Sequence, residues 1–360
     1  MLSLGNPGPT APRGPTAPRG EEYLDGAEPI PRARGDYLPL LLLPGLAAGA
    51  LAIMTWQGVP FSTWVTLTIA ALAMGAMIFV IASGLTLVFG LMDVLNFGHG
   101  AFIAVGAYLA MTTLIPLAGW VEANSLPLNL LALGLAMLVA MLGTGAIGLA
   151  FERVIIMPVY GQHLKQILIT TGGLIVAEQL IHVVWGGDQK PMTLPTALRG
   201  AVIFGNIALE KFRLLAVAIG LIVFLAMLLV LNRSKLGLLI RAGVENGEMV
   251  EALGYRIRRL FALVFVAGSA LAGLGGTLWA LYRETLTASI GGEVIVLVFI
   301  VIIIGGLGSV GGCFLGALLV AQMANYTGYL APKVAIASNI LLMVAILMWR
   351  PQGLYPVAKR

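Results

Sequence analysis

Long apolar runs separated by short polar stretches dominate the chain. Ten runs stand out, at about 37–56, 62–90, 97–118, 127–150, 165–185, 212–231, 260–282, 292–307, 310–328 and 334–350. Most approach the roughly 20 residues an α-helix needs to cross a hydrocarbon core about 30 Å thick. Strands of a membrane β-barrel alternate apolar and polar residues over ~10 positions, and these runs do not alternate. The pattern predicts an all-α polytopic membrane protein with about ten transmembrane helices. The short eighth run and the glycine-broken stretch 90–100 are candidates for re-entrant backbone, which membrane proteins tolerate where protein buries it. Residues 1–36 have no apolar run and carry TAPRG twice, a composition that predicts a disordered tail. That stretch has no apolar h-region, so it does not read as a signal peptide. The chain thus divides into a tail (1–36), a transmembrane body (37–354) and a short C-terminal tail (355–360).

Basic residues orient the spans, because short cytoplasmic loops are enriched in Lys and Arg. Arg13, Arg19, Arg32 and Arg34 lie in the N-terminal tail, Arg153 and Lys165 after the fourth run, and Arg350, Lys359 and Arg360 at the C-terminus. Residues 232–259 hold six more: Arg233, Lys235, Arg241, Arg256, Arg258 and Arg259. Ten spans place all of these, and both termini, on the cytoplasmic side. The stretch 186–211 opposes this with Lys190, Arg199 and Lys211, partly balanced by Asp188 and Glu210.

Composition agrees with a membrane protein. Hydrophobic residues make up 59% and charged residues 10%, against a charged fraction of about 25% in soluble domains. The net charge of +5 reports loop orientation, with no indication of nucleic-acid binding. The single cysteine, Cys313, excludes an intramolecular disulfide framework. Glycine pairs at helical spacing, such as Gly84/Gly90 and Gly268/Gly273/Gly276, predict closely packed helices.

Three constellations carry possible chemistry. In 232–259, a helix from Leu236 to Leu253 would set Ala242, Asn246, Met249 and Leu253 on one face, with Arg241, Glu245, Glu248 and Ala252 beside it. Such a helix suits a groove on a soluble partner; a loop kept charged only for topology is the alternative. Asp93, Asn96 and His99 cluster between two apolar runs, where Asn96 could cap the following helix. The trio either joins two spans or forms a polar turn beside a translocation path. Glu178 and His182 lie four apart on one helix face, with Thr170 and Thr171 about two turns earlier. An intramembrane ionisable pair is a functional candidate by default; a satisfied Glu–His hydrogen bond is the plain alternative. Thr86, Asn96, His99, Thr170, Thr171, Glu178 and His182 are therefore the candidate lining of a translocation path.

Absent motifs matter too. The sequence has no phosphate loop, and GGLGSVGG (305–312) lacks the lysine that such a loop needs. It has no HExxH, GxSxG or paired-cysteine site. The reading is a transport subunit rather than an enzyme, with no metal and no cofactor of its own.

Several stretches, in order, resemble one known family. GLTLVFGLMDVLNFGHGAFIAVGAYLA (84–110) closely resembles the signature of permease subunits of branched-chain amino acid ABC importers. ERVIIMPV (152–159), ITTGGLIVAEQLIHVVWG (169–186), IRAGVENGEMVEALGYRIRRLFALVFVAGSALAGLGG (240–276), IIGGLGSVGGCFLGALL (303–319) and WRPQGL (349–354) extend the match across about 62–354. The resemblance implies a multi-pass subunit of the bacterial cytoplasmic (inner) membrane, in contact with lipid. It also implies a second related permease, cytoplasmic ATP-binding subunits that carry ATP and magnesium, and a periplasmic or extracellular solute-binding protein. Glu245, Asn246, Glu251, Ala252 and Gly254 match the family's coupling helix; Arg241 and Met249 join them as coupling candidates. Gly243 and Gly247 depart from the pattern. Glycine costs a helix about 1 kcal/mol relative to alanine, so this helix is expected to be short or bent. Glu178 stands where the family often has an uncharged residue. Related permeases for urea and short amides share these motifs, and a stand-alone ion-coupled carrier relying on Glu178 is the alternative from a different class.

Overall fold

The computed structural model describes residues 37–245 and 247–356, and within its helices not the side chains at 236, 241, 244, 245, 247, 248 and 336. The N-terminal tail, Asn246 and the last four residues lie outside the described residues. Pro39–Arg360 forms one compact unit.

In hydrocarbon every backbone polar group needs an internal partner, which makes the helix the default for long apolar runs. The apolar helices are α1 (Leu42–Trp56), α2 (Phe61–Met92), α3 (His99–Leu114), α5 (Leu126–Phe151), α6 (His163–Trp185), α7 (Lys211–Arg233), α10 (Ile257–Arg283), α11 (Ile290–Gly305), α12 (Val310–Leu330) and α13 (Ala335–Trp349). They occupy the ten predicted positions. Among the described residues seven helices are long and apolar enough to cross a membrane, α1 together with the 3-10 turn Leu38–Leu41 before it, and α3, α11 and α13 are shorter apolar helices. Short helices α4 (Ala118–Glu122), α8 (Lys235–Glu245) and α9 (Gly247–Ala252) lie between them.

The core forms around α2, α10 and α12, with α3 and α11 against them. α3 and α11 have 16 residues each, about 24 Å at 1.5 Å per residue, short of a full crossing. They pack against each other, and beyond the exposed Asp93 the non-helical backbone at 94–98 is buried or half-buried. Small residues allow the close approach: a Cβ on Gly84 would meet the Gly268 carbonyl oxygen where α2 crosses α10.

One end gathers the turns at 93–98, 306–309 and 350–356 with the region 234–256. The Tyr160 hydroxyl donates to the Met92 carbonyl oxygen at 3.1 Å, and its ring lies 5.8 Å from that of Phe261. Leu354 N–H donates to Ile304 O at 2.9 Å. At the other end, β1 (Lys190–Pro191) pairs antiparallel with β4 (Thr285–Leu286), and β2 (Ala201–Phe204) pairs with β3 (Ile207–Glu210). The stretch 186–211, expected as loop, therefore contains strands. Its hairpin signal was a two-residue Gly205–Asn206 turn between apolar residues, and Gly205 takes the positive φ of 60° that such turns use. Within this loop Arg199 donates to Leu194 O at 2.7 Å, and Glu210 at its end pairs with Arg213 of α7 at 2.8 Å.

Candidate functional site

Ser234 ends α7 and starts α8. Its hydroxyl accepts the Gly237 N–H at 3.2 Å, as an N-cap does. Helix is described on either side of Asn246, over Lys235–Glu245 and Gly247–Ala252, within the stretch predicted to be helical. Ile240, Val250 and Ile257 turn inward and are buried, anchoring the pair to the bundle. Outward stand Leu238, Met249, Leu253 and Tyr255, all more than half exposed. Glu251, Ala252, Gly254, Arg256, Arg258 and Arg259 are exposed beside them. Met249 and Leu253 share the outer face, as periodicity predicted, whereas Ala242 is half-buried. Asn246 and the side chains of Arg241 and Glu245 lie outside the described residues.

The end of α9 is fixed by its backbone. Gly254 N–H donates to Glu251 O at 2.9 Å and Tyr255 N–H to Val250 O at 3.2 Å, with Gly254 at φ +88°. This is a Schellman turn, which needs a left-handed residue at the glycine position. It turns Tyr255 back over Val250. Together with Leu239, Ile257 and Leu260 they line a cleft of ≈ 400 Å³ between α9 and α10. The result is an apolar tip rimmed by charge, the form of a helix that seats in a partner's groove.

A second site lies at the same end, where α2 gives way to α3. Asp93 closes α2 at φ 52° and is exposed. Burial, with the Asp93 carboxylate nearby, holds the Tyr160 phenol above its usual 10. The chain then runs non-helically to His99. Asn96 does not cap α3 through its side chain: Gly98 is the N-cap, and both Asn96 amide atoms are buried without a hydrogen-bond partner. The Asn96 carbonyl instead accepts His99 N–H at 3.3 Å. His99 is fully buried, its Nε2 3.0 Å from Ile81 O, which joins α3 to the middle of α2. Phe97 N–H donates to Thr170 Oγ1 at 3.1 Å, so the break is tied to α6.

α6 meets the bundle through few residues: Gln166, Thr170 and Ile181 are buried. Thr171 donates to Ile167 O at 2.8 Å. Glu178 and His182 are half-buried, and no described hydrogen bond joins them to each other. Thr86 sits apart from this group, buried between α2 and α12 near Cys313 and donating to Ala82 O at 2.8 Å. The structure therefore gathers Asn96 and Thr170, sets Thr171, Glu178 and His182 along α6, and packs Thr86 and His99 into the core. Gln166 was missed in the sequence. Its signal was its place four residues before Thr170, on the same helix face.

The profile of a family described as "branched-chain amino acid transport system / permease component" matches residues 67–349. The permease BraD of Pseudomonas aeruginosa, from a high-affinity branched-chain amino acid transport system, is 30% identical over 291 residues, covering 79% of this chain and 92% of BraD. LivH of Escherichia coli K12 is 27% identical, covering 78% and 92%. LivM of the same strain is 26% identical, covering 82% and 71%. No solved structure matches. Ten apolar helices in the predicted places, with a match across most of their length, show that the chain belongs to the permease components of branched-chain amino acid transport systems.

Proposed function

We propose that this permease is the membrane subunit of an ATP-driven importer for branched-chain or other hydrophobic amino acids. Separate cytoplasmic subunits bind ATP and magnesium, a second permease of the LivH/LivM type completes the pathway, and a solute-binding protein delivers the solute. The chain lies in the bacterial inner membrane with both termini cytoplasmic. The observation that carries this reading is the exposed tip of α9, locked by the Schellman turn at Gly254, on a chain without a phosphate loop.

The fold offers a direct route for force. α9 leads through residues 253–256 into α10, which packs against α2, α3 and α5. A push on the tip moves the start of α10. Because α2 and α10 touch backbone to backbone at Gly84 and Gly268, the motion reaches the α2–α3 break without soft side chains to absorb it. Alternating access then follows from ATP-driven closure of the partner subunits. The test is reconstitution of the purified complex in liposomes: leucine accumulation with ATP supports the reading, and accumulation by this chain alone without ATP rejects it.

A further inference from the structure

Three residues of α6 turn into the bundle, and two of them, Gln166 and Thr170, are polar. Helices held in a membrane by packing alone bury apolar or small residues. Gln166 is 1% exposed, and neither Nε2 nor Oε1 has a hydrogen-bond partner among the described residues. Asn96 is also 1% exposed, with both amide atoms in the same condition. The two amides flank one joint. Asn96 precedes Phe97, whose N–H donates to Thr170 Oγ1, and Thr170 donates in turn to the Gln166 carbonyl oxygen at 2.7 Å. A buried amide without partners costs stability, and methionine or leucine would fill nearly the same space without that cost. Packing therefore does not account for this pair.

We infer that Asn96 and Gln166 are solute-contacting residues, which meet the polar groups of the passing solute when α6 moves off the α2–α3 break. The inference rests on the importer reading above. The pair offers two NH₂ groups and two carbonyl oxygens and no net charge. Its carbonyls suit an ammonium group and its N–H groups a carboxylate, so a zwitterionic amino acid fits. Dipoles hold such a solute without the tight ion pair that would stop its release. α6 buries far less of itself in this chain than α12 does.

The experiment uses the whole importer complex in liposomes with leucine as the probe, comparing wild type with Asn96→Leu and Gln166→Met. Uptake is measured over a range of leucine concentrations, and thermal unfolding is followed on the same preparations. Each variant is expected to lower kcat/KM for uptake roughly tenfold, equivalent to about 1.4 kcal/mol, while its unfolding midpoint holds or rises. Wild-type uptake by both variants overturns the inference and leaves the importer reading standing. Lower uptake with a lower midpoint also overturns it, because the amides then have a structural partner such as ordered water. Failure of the wild-type complex to take up leucine removes the importer reading and the inference together.

Discussion

The Tyr255 N–H donates to the Val250 carbonyl oxygen at 3.2 Å, and this bond turns the end of α9 back toward α10. Gly254 makes the turn possible at φ +88°. A side chain in the left-handed region costs about 1–2 kcal/mol. Gly254→Val is therefore expected to loosen the tip without preventing membrane insertion. Membrane abundance should stay near wild type while co-purification of the ATPase and leucine uptake fall. Normal uptake would mean that the turn has no part in coupling.

Met249 and Leu253 contribute apolar surface to the tip and little to the bundle, since both are more than half exposed. Leu253→Asp should leave the thermal midpoint unchanged and weaken ATPase binding at least tenfold, a loss of about 1.4 kcal/mol. A drop in midpoint with intact binding would place Leu253 in the fold instead.

Where α2 crosses α10, Gly84 leaves no room for a side chain. Overpacking of this kind costs typically about 1–3 kcal/mol, and more where backbone must shift. Gly84→Leu should lower the unfolding midpoint of the detergent-solubilised chain. Gly172, with nothing within 4 Å of a built Cβ, is the control: Gly172→Ala should leave the midpoint unchanged or raise it.

The Tyr160 phenol, with its pKa raised by burial and then by Asp93, donates to Met92 O. A raised folded pKa means the folded state holds this proton more tightly than the unfolded chain. The associated stability is complete below the ordinary tyrosine pKa of about 10 and is lost as pH rises through the higher folded value. Tyr160→Phe should cost about 1 kcal/mol at neutral pH, the worth of one hydrogen bond. It should also remove one component of the stability loss above pH ~10. Stability titrations of the two proteins check both effects.

Glu178 separates an ATP-driven subunit from an ion-coupled carrier. It is half-buried on α6 and has no described hydrogen bond to His182. An ATP-driven mechanism does not need its proton, so Glu178→Gln should retain ATP-dependent uptake, and uptake should resist a proton ionophore. Abolished uptake in that variant would favour ion coupling.

The positions of the helices were legible because lipid forces each long apolar run to satisfy its own backbone. Helix in the stretch 236–253 was legible from its periodicity. The Ser234 cap and the Schellman turn at Gly254 rest on local signals, a serine before and a glycine after the helical stretch, whereas the burial of Ile240 and Val250 depends on how α8 and α9 fold onto the bundle. His99 read as a polar residue near a path, yet it is spent on the Ile81 carbonyl eighteen residues away. Asn96 read as a cap, and its amide is left free. Gln166 is buried only because of where α6 meets the bundle. Periodicity gives the faces of a helix; which face meets which neighbour is a tertiary fact.

The central claim is that the tip of α9 seats in an ATP-binding partner. A photo-cross-linker at Leu253, and a second at Ile203 on the opposite end, test it in native membranes. The account predicts a cross-link from position 253 to a chain that carries a phosphate loop, and none to that chain from position 203. No such product at 253, or equal products at both positions, would contradict it.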